Sequence, residues 1–344
     1  MEVLQKERNR RVLSAIIEDY IDTGLPVGSR KITKKYIRDI GPATVRNVMA
    51  DLEETGLLKQ PHTSAGRVPT DSAFRFYIDS LIRVRRLTIQ EKEQIKGKYA
   101  TSGCGPEDVL KETSKLIAFL SRHIGIVLAP KIMSTTFKHI EFIKLHTDRL
   151  LVIFATRSGI VQNKMIIDED DLSQDDLNRI ARYLNDILAD LTLEEVRLRV
   201  MEEMKNEKIF YDRLLAKALK LTNKALIDGH EDILYVDGRT NILDQPEFAD
   251  VEKMKGLLKT IEDKNILVKL LDKAMHASGI QIYIGAESEF AEIENCSVIA
   301  SSYKKEGATL GVIGVIGPTR MDYGSVIPIV DYTAKVVGQL LEGR

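Results

Sequence analysis

Residues 27–70 read VGSRKITKKYIRDIGPATVRNVMADLEETGLLKQPHTSAGRVPT. Ser29 is a good N-cap, and Ile32, Tyr36 and Ile37 follow at the spacing of a short helix. Gly41-Pro42 marks a fresh start, because Pro at the first helical position loses no hydrogen bond the helix needs. From about Pro42 to Thr55, Val45, Val48, Met49 and Leu52 recur at i, i+3, i+4 and i+7, and Gly56 ends the run. Leu57 to Val68 reads as two short strands around a loop, punctuated by Pro61 and Gly66. Helix, turn, helix and small basic hairpin is the order of parts in a winged helix-turn-helix, which lays its second helix in the major groove of DNA.

Upstream, Val12, Leu13, Ile16, Ile17, Tyr20 and Ile21 form one helical stripe that Gly24 and Pro26 close. Downstream, Thr70 or Asp71 caps a helix lined by Phe74, Tyr77, Ile78, Leu81 and Ile82. Residues 1–90 thus form a DNA-binding head, and 91–123 a helical connector broken at TSGCGP. From Ile124 to residue 171 the segments are strand-like, with repeated β-branched residues. Residues 172–230 are almost all helical. Strands resume at Ile233–Val236, Ile280–Ile284, Ser297–Tyr303 and Thr309–Ile316, with helical runs near 247–260 and 264–277 and a last helix over about 326–341. An α+β domain, 124–171 with 231–344, interrupted by a mainly helical insert at 172–230, explains this order. The insert's stripes (Leu193, Val196, Val200, Met204; then Leu214, Leu215, Ala218, Leu219) need a partner, and a second subunit is the one expected.

The chain of 344 residues is too long for one core. Its net charge of −1 divides unevenly. Residues 1–90 carry 16 Lys+Arg against 11 Asp+Glu, and the rest 34 against 40, so a head of +5 sits on a body of −6. Two distant cysteines, Cys104 and Cys296, give neither a zinc pattern nor a disulfide scaffold. No metal and no cofactor is expected. MEVLQKERNRR lacks the apolar core of a signal peptide and no apolar run is long enough to span a bilayer, so a cytoplasmic protein without membrane contact is expected.

The DNA-reading residues follow from the helical wheel. Thr44, Arg46 and Asn47 face outward at the start of the second helix, where base edges come closest. Arg reads guanine, and Asn reads adenine, with two hydrogen bonds each; Thr44 suits a phosphate or a thymine methyl. Ser29, Arg30 and Lys31 begin the preceding basic helix. On the wing, His62, Ser64, Gly66 and Arg67 are candidates, with Arg67 suited to the negative potential of phosphate or minor groove. His62 alone makes no metal site.

Enzyme motifs are missing. GVIGVIG at 311–317 has the wrong spacing for a dinucleotide loop and does not open a helix, so a buried strand is expected there. HExxH, GxSxG and P-loop patterns do not occur. Thr319, Arg320, Met321, Asp322 and Tyr323 form a polar cluster, read as a turn that anchors the last helix or as part of a small-molecule pocket.

ATVRNVMADLEETGLLKQPHTSAGRVPTD at 43–71, EDYIDTGLPVGSR at 18–30 and IGPTRMDYGSVIPIVDYTAKVV at 316–337 resemble the HrcA family of heat-inducible transcription repressors. The segments lie at opposite ends, so the resemblance spans the chain. It implies a homodimer that binds the CIRCE inverted repeat upstream of the groE and dnaK chaperone operons and that the GroE chaperonin keeps active. The implied fold is a winged-helix head and a GAF-like domain carrying a dimerising insert. Gly41-Pro42 stands where the family more often has Ser, and Ala73-Phe74 where it more often has Gly and Tyr; these changes affect caps and packing more than Arg46 and Asn47. The alternative is a winged-helix repressor that senses a metabolite in the GAF-like pocket.

Overall fold

The structure is a computed structural model that describes Leu4 and residues 6–62, 65–99, 105–130, 136–146, 149–157, 161–167, 172–192, 195–196, 233–243, 245–248, 250–277, 279–289, 293–305 and 308–342. Its contacts divide the chain into two compact units. One joins residues 1–101, 111–128 and 234–338; the other joins 102–110, 129–233 and 339–344. The α+β class read from the sequence holds, with helices and antiparallel sheets in the same chain.

The first unit begins with α1 (Glu7–Thr23), α2 (Ser29–Lys35), α3 (Pro42–Glu54), the short strands β1 (Leu58–Lys59) and β2 (Val68–Pro69), and α4 (Asp71–Ser80). Val12, Leu13, Ile16 and Ile17 of α1, Ile32 of α2 and Val45, Val48 and Leu52 of α3 are buried together as the stripes demand. β1 pairs antiparallel with β2, and Val27 adds a third rung through Arg67. This is the winged helix-turn-helix. Helices α5 (Ile89–Gly97) and α6 (Pro106–Ser121) follow it.

The rest of this unit is a five-stranded antiparallel sheet. Its order is β7 (Leu234–Asp237), β3 (Ile124–Leu128), β10 (Ala308–Pro318), β9 (Cys296–Lys305) and β8 (Ile280–Ile284). Ile124, Ile126, Leu128, Val298, Val312 and Ile316 pack with helices α8 (Val251–Glu262) and α9 (Lys264–Met275) in one core. On the opposite face a Cβ at Gly125 would stand 2.3 Å from the Ser114 carbonyl oxygen of α6. The last helix, α10 (Tyr323–Glu342), comes equally close to β9, where a Cβ on Gly338 would meet the Lys304 carbonyl at 2.6 Å. Cover on both faces explains why IGIVL and GVIGVIG are continuous apolar runs and not alternating ones. GVIGVIG is the buried strand expected of it.

The second unit corrects the expected boundary of the insert. Strands β4 (Phe137–His146), β5 (Arg149–Thr156) and β6 (Val161–Ile167) were expected to belong with Ile124–Leu128. Among the described residues they pair only with one another, as an antiparallel meander, and share a core with α7 (Gln174–Ile187) and Val196. Short links let neighbouring strands pair locally, and their inner side chains, Phe137, Ile140, Phe142, Val152 and Phe154, complete the core around Leu177, Ile180 and Leu184 of α7. The inserted unit therefore starts near residue 129 and carries a sheet of its own. Of the apolar stripes expected at 193–219, Val196 is buried in that core and the other named positions lie outside the described residues.

Candidate nucleic-acid interface

Pro42 occupies the first position of α3, with Gly41 as its extended N-cap. Burial of Val45, Val48 and Met49 leaves Thr44 half-buried and Arg46 and Asn47 exposed. The wing is fixed to the start of α2 by two backbone bonds. Val27 N–H donates to the Arg67 carbonyl at 2.8 Å, and Arg67 N–H to the Val27 carbonyl at 2.9 Å. A Cβ on Gly66 would sit 2.4 Å from the Val27 carbonyl oxygen, so only glycine permits this approach. The Gln60 side-chain amide crosses the wing to the Ala65 carbonyl at 3.1 Å.

Between these three parts lies a cleft of about 620 Å³. Gly28, Ser29 and Arg30 form one wall, Arg46 and Met49 the second, and Gln60, Gly66 and Arg67 the third. Arg30 and Arg46 have no carboxylate partner among the described residues and are exposed to any anion that enters. A concave polar surface with unneutralised guanidinium groups suits phosphate, and Arg46 on α3 suits a base edge as well.

Of the ten residues singled out in the sequence, Ser29, Arg30, Arg46, Gly66 and Arg67 line this cleft. The other positions differ. Gly28, not Ser29, is the N-cap of α2; Ser29 is the first helical residue, buried, with no capping bond. The Val27–Arg67 bridge fixes the extended chain at Val27, and the helix starts directly after it. Lys31 is held 2.6 Å from the carboxylate of Asp19, which is fully buried. Thr44, Asn47 and His62 lie outside the walls of the cleft, and Ser64 lies outside the described residues. Arg67 is at the base of the wing and not at its tip. Its Nε donates to Glu53 Oε2 at 2.8 Å, which ties the wing to the end of the recognition helix.

Gly28, Met49, Gln60, Glu53 and Asp19 were not singled out. Asp19 had a signal, since it lies beside the apolar stripe of α1 and a buried carboxylate needs cationic partners. It has Lys31, Lys35 at 3.5 Å and the Tyr36 hydroxyl at 3.3 Å. Hydrogen bonding to Tyr36 first, and to Asp22, holds the Lys35 ammonium above the ordinary lysine range, so α2 keeps its charge. Cys296 is buried in the sheet core, and burial pushes its thiol up to about 12. Among the described residues no cluster of three His, Cys, Asp or Glu could hold a metal ion, and no helix is long and apolar enough to cross a membrane.

Residues 107–327 match the HrcA protein C terminal domain. Over 338 residues the chain is 53% identical to the heat-inducible transcription repressor HrcA of Geobacter sulfurreducens, covering 98% of each. It is 44% identical to the one from Syntrophobacter fumaroxidans, over 98% of this chain and 97% of that one. The chain belongs to the HrcA family. Members are named as heat-inducible transcription repressors, so HrcA proteins are DNA-binding regulators and not enzymes. A crystal structure of a hypothetical protein shares the fold along the whole chain, with a TM-score of 0.67 at 24% identity, covering 98% of this chain and 99% of that one. The HrcA C-terminal match covers the five-stranded sheet and the inserted unit together.

Proposed function

We propose that the chain represses the groE and dnaK chaperone operons by binding the CIRCE inverted repeat as a cytoplasmic homodimer kept active by the GroE chaperonin. The observation that carries this reading is the cleft at α2, α3 and the wing, where Arg30 and Arg46 stand without carboxylate partners among the described residues. In the proposed division of labour residues 1–90 read DNA, with Ser29, Arg30, Lys31, Thr44, Arg46, Asn47, His62, Ser64, Gly66 and Arg67 as the contact set, 91–123 connect, and the inserted unit dimerises.

An inverted repeat needs two heads related by a two-fold axis. Support for the inserted unit as the dimer interface comes from its sheet. The inner face is packed, but Val161, Met165 and Ile167 on the outer face are 57%, 62% and 63% exposed. In register with Met165 stand Leu151 and then Ile143, so the row is apolar across all three strands. Such a patch on a sheet face marks an interaction surface. Dependence on a chaperonin is what the HrcA resemblance implies, and marginal stability is compatible with it. One or two kcal/mol changes a folded ratio by about 5–30-fold, and a domain split by an insert has more ways to misassemble.

The decisive experiment is a footprint on the promoter of the organism's own groE operon, with and without chaperonin and ATP. Two symmetric protected half-sites, with a larger active fraction in the chaperonin arm, are expected. Protection confined to one half-site would refute the dimer, and equal activity after heating in both arms would refute the chaperonin dependence.

A further inference from the structure

The turn Thr319–Tyr323 takes no part in the DNA-facing cleft. One end of it is built into the sheet. Tyr323 is fully buried, its hydroxyl donating to the Thr319 carbonyl at 2.7 Å and lying 2.6 Å from Ser297 Oγ. Its ring meets Phe74 of α4 at a centroid distance of 6.1 Å. Arg320 reaches the other way. Its Nη1 donates to the Ile21 carbonyl at 2.9 Å, its Nη2 to Gln245 Oε1 at 3.1 Å, and its Nε to Glu247.

Ile21 is in the last turn of α1, where carbonyls have no intrahelical partner and the helix dipole is negative. The last turn of α1 contains no basic residue. The cation that completes it comes from 299 residues away. Gly24, at φ +67°, ends the helix in the left-handed region, and a Cβ there would come within 3.3 Å of Arg320 Nε. Three residues on, Val27 bonds Arg67, and Gly28 to Arg30 form a wall of the cleft. A second fastening lies at α4, where Arg75 bonds Glu287 and the Ile282 carbonyl of β8. A third is at Arg85, whose N–H donates to the Gly324 carbonyl at 3.2 Å and whose Nε donates to Ser325 Oγ at 2.9 Å; of the three, Arg320 is the one that holds α1, the helix that leads into the cleft.

We propose that Arg320 is a positioning residue for DNA reading: it locks the end of α1, and through it the 24–28 loop, onto the sheet, so the head keeps one orientation only while the body around Glu247 is folded. The guanidinium fork suits this task, since it offers several donors in fixed directions to acceptors on different segments. Lysine would supply the charge without the geometry. The requirement for a fixed orientation rests on the proposed two-headed binding; the lock itself does not.

The test uses the full chain carrying Arg320→Met together with Glu247→Gln, so that no buried carboxylate is left unpaired, and Arg320→Lys as a second variant. Hydrogen exchange is followed in residues 19–31 and, as the folding control, in β10. Affinity is measured on a duplex with the inverted repeat and on one with a single half-site. The proposal expects exchange at 19–31 to be tenfold or more faster while β10 is unchanged. It also expects inverted-repeat affinity to fall at least tenfold with half-site affinity kept, and Lys to give little rescue. Unchanged exchange at 19–31 overturns the lock. An equal loss on both duplexes, or full affinity with faster exchange, overturns the positioning role. If the unsubstituted chain does not bind the inverted repeat, the operator assignment has failed, and the exchange result still decides the lock.

Discussion

The head has two faces built from the same side chain. Toward the cleft, Arg30 and Arg46 meet no carboxylate among the described residues. Toward the sheet, Arg75 of the head meets Glu287, and Arg320 of the body, itself paired with Glu247, reaches into the head to the Ile21 carbonyl. Arg320 is 13% exposed, whereas Arg46 is open to solvent. The difference teaches that a count of basic residues says little. An arginine without a partner is available to phosphate or base; one already neutralised is a fastener. The head's own arginines thus mix two functions, Arg30 and Arg46 open to the cleft and Arg75 spent on the sheet, which substitution should separate.

The largest effect is expected on the fastened side. His123 is buried beneath Gly317, where a Cβ would stand 2.9 Å from its ring. Burial first, and the charge of Arg320 second, lower it to about 4, with Asp322 opposing. The imidazole is therefore neutral in the fold, while the unfolded chain takes up its proton near 6.5. A lowered histidine pKa contributes stability that is whole above the unfolded value and is lost as pH falls from 6.5 towards about 4. The loss is about 3 kcal/mol. Denaturant titrations at pH 7 and pH 4.5 should show it, and His123→Gln should flatten it. Carboxylates such as Glu91, held down to about 2 by Arg85, act only at lower pH. An equal pH dependence in both proteins would place the effect elsewhere.

A crossed pair of substitutions tests the comparison directly. Arg46→Ala should cost about 1–3 kcal/mol of discrimination between operator and scrambled duplex, with the unfolding midpoint unchanged. Arg75→Ala should do the reverse. Its side chain and that of Glu287 are 31% and 37% exposed, so the charged hydrogen bonds are partly screened. A loss of about 1–2 kcal/mol in stability is expected, with base preference intact. If Arg46→Ala lowers the midpoint, or Arg75→Ala alters base preference, the two faces are not distinct.

Most of the head was legible because its signals are local. Gly41, Pro42 and Gly56 punctuate α3, and the stripe Val45, Val48, Met49, Leu52 turns inward as its spacing demands. The strands of the five-stranded sheet were legible from their β-branched runs. The boundary of the insert was not, because sheet membership depends on partners distant in sequence. The residues themselves hid it: RLLVIFAT is as continuously apolar as IGIVL, and only in the fold does it bury alternate positions while IGIVL is buried throughout. Leu151 and Ile153 make the open face apolar as well, so the usual polar alternation of a one-sided sheet does not show in the sequence. In the site, Arg30 and Arg46 were legible from helical spacing. The pairing of Arg67 with Glu53 was not, since it joins two elements whose approach only the Val27 bridge fixes. The Thr319–Tyr323 turn stood out, but the partner of Arg320 is a backbone carbonyl, which no residue type marks.

Arg67 belongs to neither face, which makes it the finest test of the comparison. It lines the cleft, as a DNA contact should, yet it is paired with Glu53 and 22% exposed, as a fastener would be. If it reaches a phosphate in the complex, it must share its guanidinium between Glu53 and DNA. Glu53 then works against binding, both by holding the fork and by repelling the phosphate. Arg67→Ala should lower the slope of log affinity against log salt by about 0.9, the value of one phosphate contact. Glu53→Gln should move affinity slightly the other way, by less than about 1 kcal/mol, as partly exposed pairs allow. Measured across a salt series, opposite signs for the two substitutions would put Arg67 among the DNA contacts. An unchanged slope for Arg67→Ala, with a lower unfolding midpoint for both, would make it a fastener of the wing to the recognition helix.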